Sequence, residues 1–187
     1  MAGKKGEGGR IPQWEEVISL QDPVEEDVVW RNKISPLLGD LPDNAMDIWH
    51  YGFTELLNNA IEHSAGQQVD ISLFKTVNTT ELEIYDDGEG IFKKILRDFG
   101  LRDERHAVLE LVKGKLTTDP NNHTGEGIFF SSRLFDEFHI FSGVVCFSHG
   151  EDWVLGNQAY QPGTRVLMKL DNHTVRLVSP NSLKELG

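Results

Sequence analysis

The sequence predicts an α+β domain, a two-layer α/β sandwich in which helices cover one face of a mixed, mostly antiparallel sheet. Three observations carry this prediction. Apolar residues recur at helical spacing through two early stretches, two short segments alternate apolar with polar residues across a turn, and the C-terminal third returns to strand-like runs. The elements follow in order. Residues 1–23 read as a flexible tail or lead-in, because MAGKKGEGGR offers charge and glycine without an apolar run. Val24 to Leu38 carries apolar positions near helical spacing, with Pro36 close to its end. Leu41-Pro42-Asp43 then signals the start of a long helix over 44–64, which Gly66 stops. Val69–Leu73 and Leu82–Asp86 have period two, and Asn78-Thr79-Thr80 supplies a turn, so a β-hairpin is predicted. Residues 91–115 are helical in pattern but interrupted by Gly100 and Gly114, as in a mobile lid. A polar loop over 117–124 leads into a short helix, 126–136. Strands are predicted at 138–147, 153–155 and 164–170. The domain spans 24–172, and 173–187 reads as a C-terminal extension or a linker to a further domain.

Composition narrows the classes of function. With 187 residues, 39% hydrophobic and 26% charged, the chain has the make-up of a soluble domain with one sizeable core. No run approaches the roughly 18 apolar residues of a membrane span, and the N-terminus lacks the apolar centre of a secretory signal. A cytoplasmic location is the expectation. One cysteine, Cys146, excludes an internal disulfide and sits in an apolar run, as a small hydrophobe would. A net charge of −12 argues against wholesale nucleic-acid binding. Between Phe92 and Leu116, however, seven cations (Lys93, Lys94, Arg97, Arg102, Arg105, Lys113, Lys115) face four carboxylates. This local excess suits an anionic ligand, or equally a solvated helix face.

Four patterns carry chemistry. On the long helix, Phe53, Leu56, Leu57, Ala60, Ile61 and Ser64 form one stripe, and Glu55 and Asn59 lie one turn apart on the adjoining one. An amide oxygen is a hard ligand fit for Mg²⁺, and a carboxylate can orient or deprotonate an attacking hydroxyl. Such polar pairs also occur on any exposed helix. In the second hairpin strand, period two puts Asp86 on the face of Leu82 and Ile84. A carboxylate aimed at the apolar side is costly without a donor. The exocyclic amino group of adenine would serve, whereas a six-oxo purine would set acceptor against acceptor. The alternative is an acidic turn after a strand. Gly88 and Gly90, in Asp87-Gly88-Glu89-Gly90, let the backbone turn closely beneath a base. Third, His123-Thr124-Gly125-Glu126-Gly127 opens a helix, where amide donors meet phosphate. Fourth, Pro162-Gly163-Thr164 begins the last strand, where a hydroxyl could brace Asp86 through a water.

In combination, ELLNNA, DDGEG about thirty residues on, TGEG after a basic segment, and GT before a final strand resemble the GHKL ATPase superfamily. That superfamily gathers gyrase-type topoisomerases, heat-shock chaperones, histidine-kinase-like ATPase domains, mismatch-repair ATPases and anti-sigma serine kinases. The resemblance covers roughly residues 24–170 and implies the Bergerat fold, with ATP and Mg²⁺ as cofactors. It implies Glu55 as general base and Asn59 as Mg²⁺ ligand. It makes Asp86 the reader of adenine, with Gly88 and Gly90 beneath the base and Thr164 beside it. Gly125 and Gly127 become the phosphate-side glycines. Apart from the resemblance, the charge of the basic lid makes Lys113 and Lys115 cations expected near the phosphates. His123 departs from the pattern, standing where many members have the first glycine of GxGxG.

The short ELLNNAIEHS helix and DDGEGI turn look nearest to bacterial ATPases allied to anti-sigma kinases, some of which carry a STAS-like domain. Two functions follow: an ATPase or serine/threonine kinase in bacterial regulation, or a nucleotide-sensing module whose lid switches partner or dimer binding without turnover. The expected partners are ATP, a regulatory protein or adjoining STAS-like domain, and a second copy of the chain. Neither nucleic acid nor membrane is expected. His50, before Tyr51-Gly52, reads as structural rather than as a phospho-acceptor. Neither a P-loop nor His-Glu-x-x-His is present.

Overall fold

A computed structural model describes residues 10–113, 127–149 and 154–174. In chain order the elements begin with β1 (Trp14–Ser19), α1 (Glu26–Val29), a π-helical stretch (Trp30–Ile34), α2 (Ser35–Leu38) and α3 (Asp43–His63). They continue through β2 (Gln68–Lys75), β3 (Thr79–Asp86), α4 (Ile91–Asp98), α5 (Glu104–Leu111), α6 (Gly127–Leu134), β4 (Glu137–His149) and β5 (Val154–Asp171). The five strands form one sheet in the order β1-β2-β3-β5-β4. Every pairing is antiparallel among the described residues. With the helices packed on one face, this is the α+β two-layer sandwich that the sequence predicts.

Alternation builds the sheet's inner face. Val69, Ile71 and Leu73 of β2, Leu82 and Ile84 of β3, Phe138 and Ile140 of β4, and Val166, Met168 and Leu170 of β5 are all buried. Against them lies α3, where Phe53, Leu56, Leu57, Ala60 and, just past the helix, Ser64 of the expected stripe are buried, Ile61 is half-buried, and Ile48 and Trp49 extend the buried face. Emptying a site such as fully buried Phe53 would cost about 3–5 kcal/mol. The corner between α6 and β4 docks on α3 through Phe135, whose ring meets Trp49 edge-on at 4.9 Å between centroids. Gly52 makes this approach close, since a Cβ there would sit 2.5 Å from the Phe135 ring.

Three expectations need correction. Residues 1–23 are not all lead-in, because Trp14–Ser19 pairs along β2, Trp14 opposite Leu73 and Ser19 opposite Gln68. Its charges hide it: Glu16 lies opposite Ile71 and is matched by Lys33 at 3.0 Å. The strands expected at 153–155 and 164–170 are one continuous strand, β5, because pairing with β4 persists past polar Gln158 and Gln161 through bulges at Ser142–Val145. The helix expected over 24–38 contains the π-helical stretch, with Trp30 and Ile34 buried. Elsewhere the elements match: α3, the β2–β3 hairpin, and the division of the basic segment into α4 and α5 around Gly100, φ +60°. Cys146 is half-buried. His50 is exposed, pairs with Asp27 at 3.1 Å, and has its ring 5.1 Å from that of Trp30.

β4 has an unusual course. His139 Nδ1 and Ser148 Oγ stand 2.8 Å apart though nine positions separate them. A straight strand would hold them about 30 Å apart. The strand therefore curls back through the bulges around Gly143, φ +59°.

Candidate functional site

The site is assembled along α3. At its C-terminal end, Ser64 closes the helix, its hydroxyl donating to the Ala60 carbonyl at 2.6 Å and accepting from Gly66 N–H at 3.0 Å. Onto this end docks the turn that follows β3. Gly88 must be glycine here, since a Cβ would lie 2.0 Å from the Ser64 carbonyl oxygen, and Glu89 N–H donates to that same oxygen at 3.0 Å. Counting back from Ser64 at 1.5 Å per residue, Asn59 lies about 8 Å along the helix and Glu55 about 14 Å. One helix thus sets the spacing between the Asp86 turn and the Glu55–Asn59 pair.

Asp86 closes β3 and is buried on the face of Leu82 and Ile84, as period two requires. Its Oδ1 accepts from Gly88 N–H at 2.9 Å. The pairing of β3 with β5 sets it opposite Thr164, whose backbone N–H and hydroxyl lie near enough to favour the ionised carboxylate. Burial nevertheless outweighs the Gly88 bond and the neighbouring Thr164 groups and holds the Asp86 carboxyl above its ordinary range. Thr164 thus stands beside Asp86 on the neighbouring strand. The same hydroxyl accepts from Ile91 N–H at 3.0 Å, which joins α4 to the arrangement. Gly163 occupies the left-handed region at φ +66°, and a Cβ would fall 1.9 Å from the Asp86 carbonyl oxygen. Gly90 caps α4 at φ +92°, beside the Ser142 hydroxyl, which donates to the Gly163 carbonyl at 2.8 Å.

The two adjacent aspartates do different things. Asp87 turns away from Asp86 and accepts from Gln67 N–H at 2.7 Å and Gln68 N–H at 3.1 Å, fastening the loop between α3 and β2. Sequence reasoning missed this role, and it missed Ser142. Both depend on pairings distant in the chain, and no local pattern marks them.

Glu55 and Asn59 are half-buried. Asn59 Nδ2 is sealed from solvent with no hydrogen-bond partner among the described residues. A buried amide left short of a partner is the kind of group a ligand completes. Its oxygen is a fitting hard ligand for Mg²⁺, an ion that commonly takes few protein ligands and completes its shell with water and phosphate oxygens. No group of three or more His, Cys, Asp or Glu side chains that could hold a metal is found among the described residues. The Glu55 carboxylate lies against Gly127 at the start of α6, 1.7 Å from where a Cβ would stand.

The structure thus brings Asp86, Gly88, Gly90 and Thr164 together at one end of α3, and Glu55 and Gly127 at another level of it. Gly125 and Lys115 lie outside the described residues, as does the loop 117–124. The basic segment is more self-contained than its charge suggests. Lys94 pairs with Asp98 at 2.7 Å, Arg97 with Glu89 and Asp98, and Lys113 with Glu110 at 2.6 Å. Lys93 and Arg102 are exposed and without an ion-pair partner among the described residues. Among the described residues no helix is long and apolar enough to cross a membrane. No protein-family model matches the chain, and no curated protein sequence matches it.

Proposed function

We propose that this chain is an Mg²⁺-ATP-binding domain of the GHKL type, acting as an ATPase or as a serine/threonine kinase toward a regulatory protein. The single observation that carries the reading is Asp86. It is a carboxylate buried at a strand end, beside a turn of closely packed glycines. One oxygen takes the Gly88 amide and Thr164 stands opposite, yet burial still dominates its titration. A ligand amino group would supply a further donor, as adenine's six-position amino group does, whereas a six-oxo purine sets an acceptor at that position. Asn59 and Glu55, one and two turns further along the same helix, suit a metal-bound triphosphate and the activation of an attacking oxygen.

A second reading keeps the nucleotide and removes the turnover: a sensing module in which ATP binding changes affinity for a partner or a second copy. The ion pairs of Lys94, Arg97 and Lys113 favour it, because cations already held by Asp98, Glu89 and Glu110 must exchange partners before they can grip phosphate. Thermal melting with Mg²⁺-ATP, Mg²⁺-GTP and no nucleotide tests the common premise. At a hundredfold excess over Kd, ATP should raise the melting temperature by about 5–10 °C, and GTP by far less. Equal shifts with both nucleotides, or none with either, would refute it. Phosphate release then separates the ATPase from the sensor.

A further inference from the structure

The Glu55 side chain runs from α3 into the first residue of α6. A Cβ on Gly127 would lie 1.7 Å from Glu55 Oε1, 2.1 Å from its Cδ and 2.6 Å from its Cγ. The carboxylate therefore fills the volume that any side chain at position 127 would claim. The three nearest atoms all belong to the movable end of one side chain, and none is backbone. A methyl group here would leave the fold in place and move the carboxylate.

The two helices cannot separate to make room. Beyond the far end of α6, Phe135 is clamped against α3 at Gly52 and Trp49, and Phe130, Ser131, Ser132 and Leu134 of α6 are buried. With α6 held, Oε1 would have to withdraw by more than about 1 Å to restore an ordinary contact. We infer that Gly127 is a positioning residue, whose missing side chain forms the seat that fixes the Glu55 carboxylate. This differs from a phosphate-contacting glycine, and it rests on the reading of Glu55 as the base.

A cycle of four proteins tests the inference: parent, Gly127→Ala, Glu55→Ala and the double variant, each measured for melting temperature, Mg²⁺-ATP affinity and phosphate release. If the seat exists, alanine at 127 is opposed by the Glu55 side chain and tolerated without it. Its effect on melting temperature should then be more favourable in the Glu55→Ala background by at least about 2 °C. Additive melting temperatures would overturn the inference, whatever the activity. A misplacement of about 1 Å costs on the order of 10²-fold in rate. Gly127→Ala should therefore lower kcat about that much, change Kd less than about threefold, and cause no further loss when Glu55 is already alanine. A tenfold weaker Kd with kcat retained, or losses that multiply, would make Gly127 a phosphate contact and refute the seat. Full turnover by Glu55→Ala would remove the base assignment instead, leaving the melting-temperature coupling to decide the seat alone.

Discussion

Asp86→Asn keeps the shape of the side chain and removes its charge, so its effects on folding and on nucleotide binding can be worked separately. The carboxylate receives Gly88 N–H and lies beside the backbone N–H and hydroxyl of Thr164. Asparagine retains one acceptor oxygen and turns the other position into a donor, which loses about one charge-assisted hydrogen bond, roughly 1.5–3 kcal/mol. Against this stands the cost of burying a charge, the largest influence on this carboxyl. The two are of the same order, and the folded protein should change in stability by no more than about 1 kcal/mol at neutral pH. Binding has no such offset. An adenine amino group would now meet an amide donor, losing about 1.5–3 kcal/mol, or roughly 10–150-fold in Kd. The pH dependence has a definite sign. Burial raises the folded-state pKa of Asp86 above the unfolded value, so the folded protein takes up this proton at a higher pH than the unfolded chain does. Stability from this group therefore rises as pH falls through the folded pKa and is complete below the unfolded one; above both, the buried charge costs stability. The parent-minus-variant difference in urea-derived stability should become more favourable to the parent on acidification through that window. Calorimetric titration with ATP and GTP provides the binding arm. Parental ATP affinity and parental preference over GTP in Asp86→Asn would refute the adenine-reading argument, and a pH-independent difference would refute the assignment of its titration.

Three other outcomes are expected. Gly88→Ala drives a Cβ to 2.0 Å from the Ser64 carbonyl oxygen. It should cost about 2–4 kcal/mol by displacing the Glu89 and Asp86 hydrogen bonds, measured by urea denaturation; a cost below about 1 kcal/mol would mean the turn is not pinned to α3. Asn59→Ala should leave metal-free nucleotide binding within about twofold and abolish the gain in affinity on adding Mg²⁺; unchanged Mg²⁺ dependence by calorimetric titration would exclude Asn59 as a ligand. Hydrogen exchange with a non-hydrolysable ATP analogue should increase protection in α4 and α5 more than in the β2–β3 hairpin, and equal change in both would leave ATP a static ligand.

Local periodicity was enough for the elements that bury a clean face. α3 shows its stripe because Phe53, Leu57 and Ala60 answer to one sheet, and the β2–β3 hairpin alternates because its other side meets solvent. Asp86 could be singled out for the same reason, since period two assigns its face before any contact is known. β1 could not, because Glu16 becomes intelligible only once Lys33 of the π-helical stretch lies beside it. The continuity of β5 depends on bulges that let an irregular, polar stretch stay paired. The placing of Thr164 beside Asp86 depends on cross-strand register, and the contact of Glu55 with Gly127 on helix docking. These are relations between distant residues, which no single segment encodes.

The register that sets Asp86 opposite Thr164 also fixes when the pocket can exist. During synthesis, β1 waits for β2, and β3 can zip onto β2 as soon as both are free of the ribosome. Its other neighbour, β5, is still unmade. With about 80 residues to add at roughly 5–20 per second, β3 presents an unpaired edge for about 4–16 s. Asp86 spends this interval without Thr164 beside it. Until β5 arrives, the surroundings that bury the carboxylate are incomplete in the nascent chain. On the function proposed above, a nucleotide would act on folding only at the end, by trapping the closed sheet and not by nucleating it.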